Sequence, residues 1–208
     1  MIHEVDEALR AVITERALPS GEVRVAFEAP NREWAAARNT PTVNAYLYDI
    51  REDVSRRERG AVPVYGENGR VVARRQPPRY FRLSYLVTAW TKRPEDEHRL
   101  LSAVLACLLR HETLPADALP PGGVLAELGL VVPVTAAVPP PESRSIADIW
   151  SALGGELKPS LDVVVIAPMP VSPEYEVGPA VTDSIAVTVG DIDGRLPDPP
   201  LRTSRFDK

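Results

Sequence analysis

Residues 80–111 read YFRLSYLVTAWTKRPEDEHRLLSAVLACLLRH, a strand that passes directly into a helix. In the first part, Phe81, Leu83, Tyr85, Val87 and Ala89 form one row, and Tyr80, Arg82, Ser84, Leu86, Thr88 and Trp90 the other. Side chains alternate across a strand, and both rows are largely apolar or aromatic toward their ends, so this is a central strand with both faces covered. Pro94 then opens a helix, followed by Glu95, Asp96 and Glu97. Proline at the first position and acids in the first turn suit the unpaired amides and the positive end of the helix dipole. Leu100, Leu101, Val104, Leu105, Leu108 and Leu109 make a wide apolar stripe, and Arg110 and His111 complement the far end. Trp90, Leu101, Leu105 and Leu108 are core candidates.

N-terminal to this run, Ile2, Val5, Leu9, Val12 and Ile13 recur at helical spacing, giving an amphipathic helix over 2–18 stopped by Pro19-Ser20-Gly21. Val23, Val25 and Phe27 alternate with polar or small residues as a half-buried strand. Residues 30–41 have no clear period and read as a loop anchored by Trp34. TVNAYLYDI (42–50) is a second strand. Residues 51–79 then change character, and the span Arg51–Arg82 holds nine Arg against four acids, net +5. Asn68-Gly69 between Val62/Val64 and Val71/Val72 predicts a hairpin with a two-residue type I′ turn. The reading is a protruding basic hairpin. C-terminal to the run, 15 of the 22 prolines lie from Pro115 onward, so short elements with rigid connectors follow. These are a short helix over 123–129, an extended stretch over 131–138 and a capped helix over 145–153 that carries Trp150 as a further core candidate. An internal strand over 161–169 and an exposed strand over 184–189 come next, and 190–208 reads as a tail.

The chain of 208 residues carries a net charge of −5. That balance argues against general nucleic-acid binding and against an anionic membrane surface as partner. No apolar stretch is long enough for a membrane helix, and the N-terminus has no apolar leader core, so a cytoplasmic protein is expected. One cysteine excludes an internal disulfide and a cysteine zinc cluster.

Catalytic motifs fail on inventory: there is no G-x-S-x-G, no H-E-x-x-H and no P-loop. Gly122-Gly123 and Gly154-Gly155 lack the dinucleotide pattern. Asp191-Ile192-Asp193-Gly194 lacks the remaining ligands of a calcium loop. Cys107, inside the leucine stripe, reads as packing. His98 and His111 are thirteen apart on one helix and read as surface residues. Asp49 and Asp162 are expected to make ordinary strand-end hydrogen bonds rather than a catalytic pair. No catalytic, metal or cofactor residue is assigned. The basic segment is either a solvated surface or one half of a self-complementary contact with an acidic patch on a neighbour. Only Tyr65 is aromatic within 51–79, which fits nucleic acid poorly.

Four strings carry a family resemblance: NAYLYDIRED (44–53), YFRLSYLVTAW (80–90), PEDEHRLLSAVLACLLRHETLP (94–115) and IWSALGGELKPSLDVVVIAPM (149–169). In order and content they resemble the cap protein of extracellular contractile injection systems, phage-tail-like particles whose cap is related to phage tail terminators. The resemblance runs over residues 2 to about 170. It implies a structural protein rather than an enzyme, with no cofactor: a six-fold ring of copies on the baseplate-distal end of the inner tube and sheath that halts their polymerisation. Its partners would be itself and the terminal tube and sheath subunits, with no nucleic acid and no membrane insertion, inside a particle assembled in the cytoplasm.

The expected architecture is α/β (α+β): a mixed sheet of the segments 22–27, 42–50, 80–91 and 161–169 with helices packed on it, a protruding basic hairpin and an extended C-terminal arm. The expected division is a cap domain over 1–170, with the hairpin insertion at about 51–79, and a proline-rich arm over 171–208. Hairpin and arm are the expected contact elements, through Arg56, Arg57, Arg59, Asn68, Arg70, Arg74, Arg75, Arg202, Arg205 and Phe206. The alternatives are a small-molecule-binding or enzymatic α/β domain and a stand-alone adaptor.

Overall fold

Strand β5 (Arg79–Trp90) organises the main sheet, because it alone has long antiparallel partners on both sides. The computed structural model describes residues 1–18, 21–138, 145–171 and 173–178. β5 lies between β2 (Thr42–Glu52) and β7 (Ser160–Met169). β1 (Arg24–Ala26) adds in parallel beyond β2, and β6 (Val134–Ala136) adds antiparallel beyond β7. The result is a mixed five-stranded sheet, order β1-β2-β5-β7-β6. The mixed sheet and the internal positions of β5 and β7 are as expected. β6 extends the expected sheet, and the first strand is shorter than 22–27.

One face of the sheet presents Val43, Ala45, Leu83, Tyr85, Val87, Val163 and Val165, all buried. Against this face pack α1 (Ile2–Ala11), α3 (Pro94–Leu108) and α4 (Val124–Leu128), which complete the main core through Val5, Leu9, Val104, Leu108 and Leu125. α1 does not run on as a uniform helix to residue 18: over Val12–Ala17 the backbone widens to a π-helix, and the Leu18 amide donates five residues back to Ile13. α3 starts at Pro94 as read but ends at Leu108. Leu101 and Leu108 are buried and Leu105 is half-buried, while Leu109, which spacing placed in the apolar stripe, is 67% exposed. The stripe spans more of the helix circumference than one sheet can cover.

The opposite face holds a second apolar cluster. Segment 30–41 is not only loop: it forms α2 (Arg32–Ala36), capped by Asn31 Oδ1 accepting the Trp34 amide at 2.8 Å. The Asn31 cap was the missed signal. Trp34 meets Trp90 edge-on at 5.3 Å between ring centres. Trp90 in turn lies 6.3 Å from Trp150 of α5 (Ile146–Ala152), which is 1% exposed. Gly155 packs closely beside this ring: a Cβ there would stand 3.1 Å from Trp150 Cε3, so the ring would have to shift by a few tenths of an ångström.

Both edges of the sheet are blunted. On β1 the Val25 carbonyl accepts from Arg10 Nη1 at 2.6 Å, with the Arg10 guanidinium over the Phe27 ring. On β6, residues 112–114 bond alongside, through Leu114 N to Val132 O and Val134 N to Glu112 O.

A second compact unit comprises, among the described residues, Pro63–Arg75 and Glu174–Gly178. It holds the expected hairpin, β3 (Val62–Tyr65) and β4 (Val71–Arg75), joined by β8 (Tyr175–Glu176) into a three-stranded sheet. The turn differs from the expected two-residue I′ form. Gly69 N bonds to Gly66 O, Gly66 N bonds to Arg70 O, and only Gly69 has positive φ (+71°). That is a three-residue loop, a type I turn closed by a left-handed glycine. Asn68 keeps negative φ and instead accepts the Arg70 amide on its side chain. The expected strand over 184–189 and the tail 190–208 lie outside the described residues.

Candidate interaction surface

The arginine-rich segment splits into two chemically different sets. In the first set, in the main unit, Arg51, Arg56, Arg57 and Arg79 each lie against a local carboxylate. Arg57 forms a bidentate pair with Glu52 (2.6 and 2.9 Å), and Arg79 approaches the same carboxylate at 3.6 Å. Hydrogen bonds from Arg57 hold the Glu52 carboxyl below its usual range, with the charges of Arg57 and Arg79 adding to them. Arg56 lies 3.7 Å from Asp53 and over the Tyr80 ring, and Arg51 pairs with Asp49 at 3.3 Å. Exposed pairs of this kind add little stability, but they fix where the guanidinium groups point. Arg59 is exposed and has no ion-pair partner among the described residues.

The second set sits on the three-stranded sheet. Arg70, Arg74 and Arg75 are exposed, with no ion-pair partner among the described residues. Its charge is not simply basic. Against these three arginines stand Glu67 of the turn and Glu174 and Glu176 at β8, three of each sign, with Ala73 opposite Glu176 and Arg74 opposite Tyr175. Sequence reading missed this balance because β8 joins the hairpin from a distance of about a hundred residues. Arg202, Arg205 and Phe206 lie outside the described residues.

The main unit also carries a groove where β5 ends and α3 begins. A cavity of about 900 Å³ is lined by Val23, Arg38, Pro41, Trp90, Lys92 and Arg99, among others. A neighbouring cavity of about 680 Å³ shares Ala35, Trp90, Thr91 and Lys92 with it. Most cations around the groove are engaged. Lys158 bonds Glu97 at 2.6 Å and stacks over Trp90, Arg99 bonds Asp96 at 2.9 Å, and Arg38 reaches Glu28 at 3.5 Å and lies over Trp34. Glu97 also accepts the Thr91 amide, locking the segment before α3. Lys92 is exposed and has no ion-pair partner among the described residues.

Asp49 and Asp162, considered for chemistry, each hold a structural partner. Asp162 accepts from the Tyr48 hydroxyl at 2.9 Å, while Asp49 pairs with Arg51. Cys107 is fully buried. Among the described residues no three His, Cys, Asp or Glu side chains are grouped to hold a metal ion, and no helix is long and apolar enough to cross a membrane.

A mixed sheet packed by helices on both faces, with a separate three-stranded unit that carries exposed arginines, defines an α+β protein. The chain belongs to the Pvc16 N-terminal domain family, which matches residues 4–183. Two solved structures share its fold. The PVC sheath/tube terminator of an extracellular contractile injection system, in the extended state, superposes with a TM-score of 0.67 at 20% identity, covering 92% of this chain and 65% of that one. The tube-terminating cap of the anti-feeding prophage gives a TM-score of 0.58 at 24% identity, covering 89% of this chain and 60% of that one. The chain thus spans under two thirds of the length of either structure. Among curated proteins none matches.

Proposed function

We propose that this protein is a structural cap. A closed ring of copies, six-fold by the resemblance described above, sits on the baseplate-distal end of the inner tube and sheath of a contractile injection system and stops their growth. The observation that carries the reading is membership of the Pvc16 N-terminal domain family over residues 4–183, joined to the fold likeness to two terminators. The protein works by shape and performs no reaction. It acts within a particle assembled in the cytoplasm, and its partners are further copies and the last tube and sheath subunits.

The domain over 1–170, including the insertion at about 51–79, builds the ring, and the arm over 171–208 makes contacts beyond it. A ring needs heterologous contacts that close. Because groups at both edges of the main sheet are already engaged, the contacts run through side chains and appended elements. Arg59, Arg70, Arg74 and Arg75, with Asn68 shaping the turn, are the contact residues of the hairpin. Arg202, Arg205 and Phe206 serve the arm, and Arg56 and Arg57 form a pre-ordered rim. The test is electron microscopy of particles from cells lacking this gene. Tubes of uncontrolled length, or loss of sheathed particles, are expected; particles of unchanged length and number would overturn the reading.

A further inference from the structure

Each tryptophan of the second apolar cluster carries an indole N–H, a group that donates and cannot accept. Two of these donors are satisfied: Trp34 Nε1 donates to Glu28 Oε2 at 2.7 Å, and Trp90 Nε1 to Thr88 Oγ1 at 2.9 Å. The third, Trp150 Nε1, is buried without a hydrogen-bond partner among the described residues. Asn44 Oδ1, an acceptor, is in the same condition. Asn44 is fully buried, and its Nδ2 donates to the Glu28 carbonyl at 2.9 Å, which fixes the orientation of the amide and leaves Oδ1 turned elsewhere. The two orphaned atoms belong to one cluster. Asn44 lies opposite Thr88 across β2 and β5, Thr88 takes the Trp90 indole, and the Trp90 ring is 6.3 Å from that of Trp150. A buried polar atom left unpaired costs free energy, so a donor and an acceptor orphaned in the same cluster call for a shared partner.

We propose that one internal water joins these atoms, accepting from Trp150 Nε1 and donating to Asn44 Oδ1. Water is the ligand that fits, because it accepts and donates at once, whereas a bare ion satisfies one atom and an apolar molecule neither. The link has a structural role. Trp150 is the one buried residue of α5, so apolar packing of a single ring is otherwise what holds that helix on the sheet. The water adds a directional tie from α5 to the central β2–β5 pair. The site concerns how α5 is held and stands apart from the cap reading above.

The test is water NOE and ROE spectroscopy on the 15N-labelled full-length chain. Its three tryptophans give three indole N–H signals, and the one lost in Trp150→Phe belongs to Trp150. That signal should show a water cross-peak of opposite sign in the two experiments, the mark of a water held far longer than a surface one and distinct from proton exchange. Asn44→Leu, which removes the acceptor and fills its space, should abolish the cross-peak. Where Asn44→Leu does not fold, a matching water cross-peak at the Asn44 Nδ2 protons of the unaltered chain gives the same answer. Absence of a water cross-peak at Trp150 would overturn the proposal. So would a cross-peak that survives Asn44→Leu, or a direct contact between the indole N–H and the Asn44 amide with no water between them.

Discussion

Glu4 shows how far one side chain's meaning depends on residues remote in sequence. In sequence it is a first-turn acid; in the fold it is 3% exposed and bonds the Leu125 amide at 2.8 Å and the Met1 ammonium at 2.8 Å. Burial alone would raise its pKa, but the Leu125 and Val124 amides and the Met1 ammonium outweigh it and hold the carboxyl below its usual range. Its stabilising contribution is therefore complete above the ordinary carboxylate pKa and is lost as pH falls through the lower folded value. Glu4→Gln should cost about 1–3 kcal/mol at neutral pH and flatten the acid limb of a Tm-against-pH curve; an unchanged limb would refute the assignment. Asp6 shifts the other way. Burial pushes it up although Tyr85 Oη donates to it at 2.7 Å and Arg10 is near. Folding thus favours its protonated form, and its cost is present at neutral pH and relieved as pH falls through the raised folded pKa. Asp6→Asn should keep the Tyr85 bond and match or raise Tm at pH 7, with the gap closing on acidification. A lower Tm at pH 7 would show that the charge, not its burial, dominates.

α3 separates what periodicity can decide from what it cannot. Spacing marks an apolar stripe correctly, but the sheet beneath covers only part of it. Leu108→Ala should cost about 2–5 kcal/mol, the half-buried Leu105 should fall at or below the lower end of that range, and Leu109→Ala should stay within about 0.5 kcal/mol. Urea melts of the three variants check the order, and equal losses would mean that Leu109 is covered by a partner. The hairpin makes the same point. Asn-Gly told correctly of a turn, because glycine accepts positive φ, but Asn68 can serve either form. What selects the three-residue loop is the bond pattern of Gly66 with Gly69 and Arg70. Gly69→Ala should destabilise by about 1 kcal/mol; hydrogen exchange confined to 62–75 would localise the effect. α2 was illegible as a helix because five residues are too few to show a period, leaving only the Asn31 cap as a signal.

At the scale of the whole molecule, the proposed cap would act through assembly, so the informative variants are those that leave the fold intact. Deleting 190–208 removes none of the residues that form the two described sheets; circular dichroism and Tm should stay unchanged while the proposed capping is lost, and particles of normal length would remove the arm from the contact set. Reversing Arg70, Arg74 and Arg75 to Glu together should leave the main unit's melting unchanged and weaken incorporation into particles, read by immunoblot of purified particles. Unchanged incorporation would make the hairpin a solvated surface.

Local chemistry in the sequence determined the elements: alternation made β5, proline and acids started α3, and glycine placed the hairpin turn. It also supplied the strings that carry the family resemblance. What only the tertiary structure decided is which groups meet: Arg57 closing on Glu52 while Arg74 stays open, β8 bringing acids to the hairpin, Arg10 reaching the sheet edge, and three tryptophans from α2, β5 and α5 converging in one cluster. Periodicity is set by bonds between near neighbours, whereas such meetings depend on how the whole sheet is ordered, and no spacing along the chain encodes that.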